Sequence, residues 1–558
     1  MTSLISDPTR YAFDRFAQGD LIEAGRLFRE ILTADPSQPD ALHGMACMAR
    51  ANGQNAMTIA LCGKALKAGA GLPASRLARI HLTLGLALIA EGHSEPARAA
   101  LVVAQALQPS DPRTFAALGE ALLLLGRRAE AKAALEQAAK LAANDAEYLT
   151  RLGQIHLEDG EAEQAIVCFE AVTQRCAQDG RAWANLGAVL FGLGQYGKAQ
   201  DVLLRACELG ARTAETLNNL GLVLMALGDL PSARAILGEA LSLRPEDGRI
   251  ANSLGTVLME MGEEAVAETL FSAVMGRESG FDREQARFNH ATLLLGKGAF
   301  AQGWKEFESR HALLGYVPES PVWNGSVGEA PIAVTAEQGL GDSVQFLRFL
   351  IEAAKRRPLR LRFPAAELVS FMPQLDRERI LESEGPVESE VSLLSLPFVL
   401  GLQNVPDDKP YLETGLHSEQ KTIGLCWAGN PSYRFDLRRS LKAKWLEPLK
   451  GISGIRIVSL QRGECPDWMD AVDLSTPQAL ARAVSQCALV ISVDTLVAHM
   501  AGAVGRPLWL LNRRGGDWRW KDVPWYQNVR QFRPDGFLPE AWPPALEQVA
   551  EALRAWEQ

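Results

Sequence analysis

The eight cysteines, at positions 47, 62, 168, 176, 207, 426, 465 and 487, include no C-x-x-C pair. That scatter indicates neither a zinc site nor a disulfide scaffold, and reduced thiols fit a cytoplasmic chain. Positive charge is also scarce. Fifty-seven Lys and Arg against 67 Asp and Glu leave a net charge of −10, which argues against a general nucleic-acid binder. Apolar runs are too short to span a bilayer. Residues 1–20 lack a basic start followed by an apolar core, so no signal peptide is expected. There is no D-x-D motif of the kind that argues for a bound metal, and neither metal nor cofactor is expected. What remains is 47% hydrophobic and 22% charged, an ordinary soluble composition, in 558 residues that suffice for two or more domains.

Against these absences stands a strict repeat. Gly119, Gly153, Gly187, Gly221 and Gly255 recur every 34 residues, and Gly126, Gly160, Gly194, Gly228 and Gly262 repeat seven residues behind them. The residue before each first glycine is leucine: Leu118, Leu152, Leu186, Leu220 and Leu254. Alanine recurs at Ala131, Ala165, Ala199, Ala233 and Ala267, and a large apolar residue at Leu135, Phe169, Leu203, Leu237 and Phe271. Such spacing reads as two amphipathic helices per unit. The first glycine lets the helices approach closely, the second ends the first helix, and the alanine marks where the second helix meets the first. Stacked units of this kind offer long binding surfaces, which points to a protein or peptide partner.

This pattern resembles the tetratricopeptide repeat, carried best by Trp183, Leu186, Gly187, Ala199 and Ala206. Degenerate units extend it through Leu84, Gly85, Gly92, Ala97 and Pro109, then Ala24, Phe28 and Pro36, with a weak stretch near 39–70. A last partial unit runs through Asn289, Gly298 and Phe307. The expected arm covers residues 5–310 in about nine units. Asn185, Asn219 and Asn289 share one repeat position. In the repeat arms of eukaryotic O-linked N-acetylglucosamine transferases, a ladder of asparagines there holds peptide backbone. By that resemblance the three are acceptor-binding candidates, since an amide both donates and accepts. Ser253, Ala117 and Arg151 interrupt the ladder, so solvated helix-surface residues are the other reading.

The helical period stops near Arg310. Residues 311–330 hold Pro318, Pro321, Gly325 and Gly328, a linker composition. Strands then alternate with helices. Ile332–Ala336, Leu359–Phe363 and Arg379–Leu381 read as strands and Ser343–Lys355 as a helix. After Lys421, Thr422–Trp427, Ile455–Leu460, Ala488–Val493 and Pro507–Leu511 read as strands. Pro477–Gln486, a segment to Val504 and a closing Pro544–Trp556 read as helices. This grammar predicts parallel α/β sheets in two lobes, 331–415 and 421–558, with a cleft between them.

Ligands of such sheets bind beyond the carboxyl ends of strands. Four polar clusters fall there. They are Glu337 to Asp342 with Gly339 and Gly341; Gly429-Asn430 followed by Arg434, Asp436, Arg438 and Arg439; Ser459 and Gln461; and Ser492, Asp494, Thr495 and His499. A helix start with free N–H groups attracts phosphate, so the last cluster reads as a diphosphate site, with Arg438 or Arg439 neutralising the leaving phosphates. Asp342 reads either as a general base or as a helix cap. Asp494 reads as a cap or a ligand, and His499 as a ligand or a buried histidine. Trp518, Trp520 and Trp525 read as packing, and Trp304, Phe307 and Arg310 as fasteners of the arm to the lobes.

The blocks A-E-Q-G-L-G-D-S-V-Q-F at 336–346, W-A-G-N-P at 427–431, V-S-L-Q at 458–461 and I-S-V-D-T-L-V-A-H-M-A-G-A at 491–503 resemble bacterial metal-independent glycosyltransferases. The similarity is to the heptosyltransferase-like group, some of whose members carry a tetratricopeptide arm and modify flagellin. It implies a tetratricopeptide superhelix followed by a GT-B pair of Rossmann-type lobes. The first lobe would face the acceptor and the second the nucleotide sugar. It assigns Asp342 as general base and Asp494, Thr495 and His499 to the donor diphosphate; Asn430, Arg438, Arg439 and Gln461, from the polar clusters above, join them as donor-binding candidates. The implied activity is inverting transfer of a hexosyl, heptosyl or nonulosonic-acid unit to Ser or Thr of a protein, flagellin being the leading acceptor. Two alternatives stay open: a scaffold with a degenerate transferase domain, and transfer to lipid or polysaccharide. Tyr433 stands where this group often has histidine, and Asn512 to Gly516 replaces an apolar loop near the donor.

Overall fold

The computed structural model describes residues 7–142, 145–404, 409–418, 421–433, 435–463, 465–521 and 523–556. The chain divides into two compact units, Met1–Leu193 with Glu208–Gly210 and Gly194–Cys207 with Ala211–Gln558.

The first unit is helical. It contains α1 (Pro8–Ala17) and α2 (Leu21–Ala34), α3 (Pro39–Ala51) and α4 (Asn55–Ala68), α5 (Ala74–Ala90) and α6 (Ser94–Leu107), α7 (Pro112–Leu124) and α8 (Arg128–Leu141), α9 (Glu147–Glu158) and α10 (Ala162–Arg175), and then α11 (Gly180–Gly192). The stretch 39–70, weak as a repeat, folds as a helix pair like its neighbours. Asp7, Asp20 and Asp111 accept hydrogen bonds from backbone N–H groups of the helices they precede, satisfying donors that a helix start leaves open.

The second unit opens with α12 (Tyr196–Glu208), α13 (Ala214–Leu227), α14 (Leu230–Leu243), α15 (Gly248–Met261), α16 (Glu264–Arg277), α17 (Gly280–Gly296), α18 (Phe300–Phe307) and α19 (Arg310–Leu314). The repeat glycines act here as the spacing implies. A Cβ on Gly221 would lie 2.5 Å from Cγ of Leu237, which is fully buried. Gly228 and Gly262 end α13 and α15 in the left-handed region, at φ +96° and +83°. Gly221→Val is therefore expected to destabilise the second unit by about 1–3 kcal/mol through overpacking. A drop in the denaturant midpoint checks this, and an unchanged midpoint would contradict the packing account.

Two parallel sheets follow. β1 (Ile332–Thr335), β2 (Leu359–Arg362), β3 (Ile380–Leu381) and β4 (Ser389–Ser392) form the first, in the order β3-β2-β1-β4. Its helices include α20 (Leu340–Phe346), α21 (Leu350–Arg356) and α22 (Leu396–Val399). The helix expected at Ser343–Lys355 starts earlier, at Leu340, and is broken by a 3-10 turn at Leu347–Phe349. β4 escapes a search for apolar runs because its sequence is Ser-Glu-Val-Ser. Its Glu390 is 4% exposed and satisfied by the Tyr316 hydroxyl and the backbone N–H groups of Glu319 and Ser320. The segment expected to be a linker thus packs onto the first sheet, with Trp323 buried and its backbone N–H donating to the Glu390 carbonyl at 2.8 Å.

The second sheet contains β5 (Thr422–Cys426), β6 (Arg456–Ser459), β7 (Asp470–Ala471), β8 (Leu489–Val493), β9 (Leu508–Leu511) and β10 (Val529–Phe532), in the order β10-β9-β8-β5-β6-β7. The helices among them are α23 (Asp436–Arg439), α24 (Pro477–Ser485), α25 (Leu496–Ala503) and the closing α26 (Trp542–Arg554). β5 and β8 are buried throughout, as befits strands covered on both faces. One apolar core joins the last repeat helices to both sheets. Trp304 meets Phe346, Trp518 and Trp525 edge-on, with ring centroids 5.8, 5.9 and 6.3 Å away. This continuity puts α13–α18 in the same compact unit as the lobes.

Candidate functional site

In each sheet the strand order reverses beside the first strand. β1 has β2 on one side and β4 on the other; β5 has β6 on one side and β8 on the other. Such switch points leave a crevice beyond the carboxyl ends of the strands. β1 leads into Gly339-Leu340-Gly341-Asp342, β5 into Ala428-Gly429-Asn430, and β8 into Asp494-Thr495. All three turns line one cavity of about 910 Å³. Repeat helices add Met259 and Glu260 on α15 and Gln285, Phe288, Asn289 and Thr292 on α17, and the second lobe adds Arg513, Asp517, Trp518 and Arg519.

The starts of α20 and α25 meet at this cavity. Gly341 lets them come close, since a Cβ there would crowd Cδ2 of His499 at 3.2 Å and lie 3.4 Å from the backbone N of Leu496. Asp342, in the first turn of α20, is half-buried on the cavity wall. Burial raises its carboxyl above the ordinary value, and Arg519 opposes that rise. The backbone N–H groups of Gly339 and Asp342 also favour the carboxylate, so Asp342 both supports the helix start and faces the cavity.

The second-lobe residues divide. Asp494 accepts a hydrogen bond from Trp520 Nε1 at 2.7 Å, and burial raises its carboxyl, with Asp517 adding to the rise. The Thr495 hydroxyl turns back to the Val493 carbonyl at 3.3 Å, and Thr495, Leu496 and Val497 at the start of α25 line the cavity. Gln461 ties the ends of β5 and β6 together, accepting from the backbone N–H groups of Trp427 and Ala428 at 3.2 and 2.9 Å. Asn430 is exposed at the rim. Arg439 lines the cavity, pairs with Asp436 at 2.7 Å and donates to the Asp494 carbonyl at 2.9 Å.

His499 is a buried bridge. Its Nδ1 lies 3.1 Å from the Tyr526 hydroxyl and its ring stacks on Trp520 at 5.0 Å. Burial and then Arg519 push its pKa down to about 3, so it is neutral at pH 7. An unfolded histidine titrates near 6.5. The stability it contributes by staying neutral is present above that value and lost as pH falls toward 3. Moving from pH 7 to pH 5 is expected to cost the second unit about 2 kcal/mol through this residue. Denaturation of the native chain and of His499→Asn at both pH values measures it. Equal pH dependence in the two chains would contradict it.

Arg438 does not reach the cavity wall. It is 1% exposed, pairs with Glu260 of α15 at 3.1 Å and donates to the Arg514 carbonyl. Burial and the neighbouring Arg513 lower its pKa to about 10. Glu260 also pairs with Arg513, giving a buried Arg–Glu–Arg cluster that ties α15 to the second lobe. The Asn512 to Gly516 stretch is explained by this docking, since a Cβ on Gly515 would strike the Glu260 carbonyl oxygen at 2.2 Å. Arg434 lies outside the described residues.

Among the asparagines, Asn289 lines the cavity, accepting from Gln285 at 3.2 Å. Asn219 is half-buried on α13 and Asn185 is exposed on α11 in the first unit; neither is a described part of the cavity wall. Trp518, Trp520 and Trp525 are buried and pack. Arg310 is 1% exposed and pairs with Glu337 at 2.7 Å and Glu308 at 2.6 Å, fixing the end of the repeat helices to the first lobe. The residue that sequence reasoning missed is Arg519. It is held between Asp342 and Asp517, and only its place three residues beyond the unusual Asn512 to Gly516 loop hinted at a role. No three His, Cys, Asp or Glu side chains among the described residues are grouped to hold a metal ion.

Family comparisons agree with the repeat reading. Descriptions of the tetratricopeptide repeat match residues 112–145, 151–213 and 213–244. The N-terminal half carries tetratricopeptide repeats, and parallel α/β sheets follow. Protein FlbA of Caulobacter vibrioides is 26% identical over 356 residues, which cover 52% of this chain. The match spans 58% of that relative, less than two thirds of its length. Among solved structures, Pseudomonas aeruginosa PilF is 18% identical, with a TM-score of 0.31 over 36% of this chain and 92% of PilF. The C-terminal part of a repeat protein from Cytophaga hutchinsonii is 16% identical, with a TM-score of 0.37 over 44% of this chain and 99% of that one. No helix of the described residues is long and apolar enough to cross a membrane.

Proposed function

We propose that this chain is a glycosyltransferase of the two-lobed GT-B type that moves a sugar from an activated nucleotide to a Ser or Thr hydroxyl of a protein. One observation carries the reading. The switch points of both sheets open into a single cavity in which Asp342 stands beside the start of α25, and repeat helices complete the wall. In this reading Asp342 takes the proton from the acceptor hydroxyl. The oxygen attacks the anomeric carbon, and the nucleotide leaves toward the first turn of α25 and Arg439. Backbone N–H groups and a guanidinium suit the developing phosphate charge without a metal. One displacement inverts the sugar. Two phosphates match this helix start better than the single phosphate of a CMP-linked nonulosonic acid. Gln285, Asn289 and Thr292 give the acceptor side amide and hydroxyl partners. Flagellin as acceptor rests on the family resemblance alone, and the chemistry suits the cytoplasm, where nucleotide sugars are made.

The repeats equally support a scaffold that binds a protein without catalysis. Thermal denaturation with UDP, GDP, ADP, TDP and CMP separates the readings. A nucleotide at about 100 times its dissociation constant adds about 2.7 kcal/mol. The transferase reading expects one nucleotide to stabilise the chain and an Arg439→Gln/Thr495→Ala variant to lose most of that shift. Stabilisation by none would favour the scaffold.

A further inference from the structure

Arg519 and Asp342 neutralise each other in this structure. The Arg519 guanidinium spends its fork on three partners: Nε donates to Gln345 Oε1 at 2.8 Å, Nη1 to Asp517 Oδ1 at 2.9 Å, and Nη2 to Asp342 Oδ1. Its Cζ lies 4.5 Å from the Trp518 ring centroid, and the residue is 9% exposed. A carboxylate clasped by a guanidinium is a poor base, because an incoming hydroxyl must displace a charge-assisted hydrogen bond. Both groups line the cavity beside the first turn of α25. The charges around them are Asp342, Asp494 and Asp517 against Arg519, Arg439 and Arg513, with His499 neutral. A phosphate arriving among these three carboxylates needs a cation that can turn toward it, and Arg513 is held by Glu260. Arg439 is already engaged with Asp436.

We propose that Arg519 is a donor-operated latch: it holds Asp342 in the empty site, and an arriving nucleoside diphosphate draws its Nη2 onto a phosphate oxygen and frees Asp342 for the acceptor. The inference rests on the transferase reading and adds an order to it, donor before acceptor. Asp517 and Gln345 are the pivot, since their bonds to Nη1 and Nε anchor the guanidinium while Nη2 changes partner.

The latch makes a prediction that an ordinary buried ion pair does not. Removing the charge of Asp342 releases Arg519 in advance, so Asp342→Asn binds the nucleotide more tightly even as it loses its base. Calorimetric titration of the full chain with UDP, GDP, ADP, TDP and CMP, and with their parent nucleosides, reads this directly. For whichever nucleotide binds, Asp342→Asn is expected to tighten binding about tenfold and Arg519→Gln to weaken it about tenfold or more. The double variant should match Arg519→Gln, and nucleoside affinity should be the same in all chains. Arg519→Lys, which keeps the charge, serves if Arg519→Gln does not fold, and it should fall between the native chain and the loss expected for Gln. Two results overturn the latch: unchanged or weaker binding in Asp342→Asn, or a gain that survives in the double variant, which would mark simple relief of repulsion. Binding of no nucleotide by the native chain defeats the transferase reading and the latch together. Binding without a gain in Asp342→Asn defeats the latch alone.

Discussion

Asp342→Asn lowers turnover by about 10²–10⁴-fold if its carboxyl is the general base. The substitution separates the two roles that position allows. Asp342 sits in the first turn of α20, where a negative charge is worth about 0.3–1 kcal/mol to the helix. A residue that only supports the helix start therefore costs a small loss of stability and no specific loss of rate. A base costs the rate and leaves the fold nearly untouched. The pH dependence gives a second signature. Burial lifts the carboxyl above its ordinary value, so the acid limb of kcat/KM falls above the usual carboxylate range. Activity is present when pH exceeds that raised pKa and is lost as pH falls through it. Rates of the native chain and the Asn variant across pH measure both effects, and an Asn variant of native rate would leave Asp342 as a helix support.

Glu260→Ala is expected to destabilise the second unit by about 3–5 kcal/mol. The loss comes from what the change leaves behind. Arg438 and Arg513 have side chains 0% and 6% exposed, and Glu260 is the carboxylate between them. Without it two guanidinium groups face each other away from water. Burial and Arg513 already pull Arg438 down to about 10 with Glu260 in place. A Glu260→Met/Arg438→Met/Arg513→Met chain, with the charges gone together, should recover most of the lost stability, because apolar replacement of a whole buried cluster is often near neutral. Denaturant midpoints of the three chains test this. A Glu260→Ala chain as stable as the native one would show that the cluster does not fasten α15 to the second lobe.

Local pattern made much of the molecule legible. The 34-residue period exposed the repeats because each glycine and alanine answers a packing demand inside its own helix pair, as Gly221 does against Leu237. Apolar strands such as Leu489–Val493 and the polar turns after them marked both switch points. What stayed hidden depends on partners distant in sequence. Glu260 occupies the repeat position held elsewhere by Leu124, Glu158, Gly192 and Ala226, a varied set in which an acid is unremarked. It is buried only because the Asn512 to Gly516 loop lies against it. For the same reason Arg438 reads in sequence as a ligand and in structure as half of an ion pair, while Arg519 takes the place beside Asp342. β4 was missed because its buried glutamate is satisfied by a segment 70 residues earlier.

The most direct test of a protein glycosyltransferase is the mass of its acceptor. Cells that lack this chain would be supplied with the native chain or with Asp342→Asn, and flagellin, the total protein fraction and the lipid fraction would be weighed by mass spectrometry. The account predicts a protein that carries sugar on Ser or Thr with the native chain and loses it with Asp342→Asn. Protein fractions identical in the two cell lines would contradict it, whether or not the lipid fraction changed.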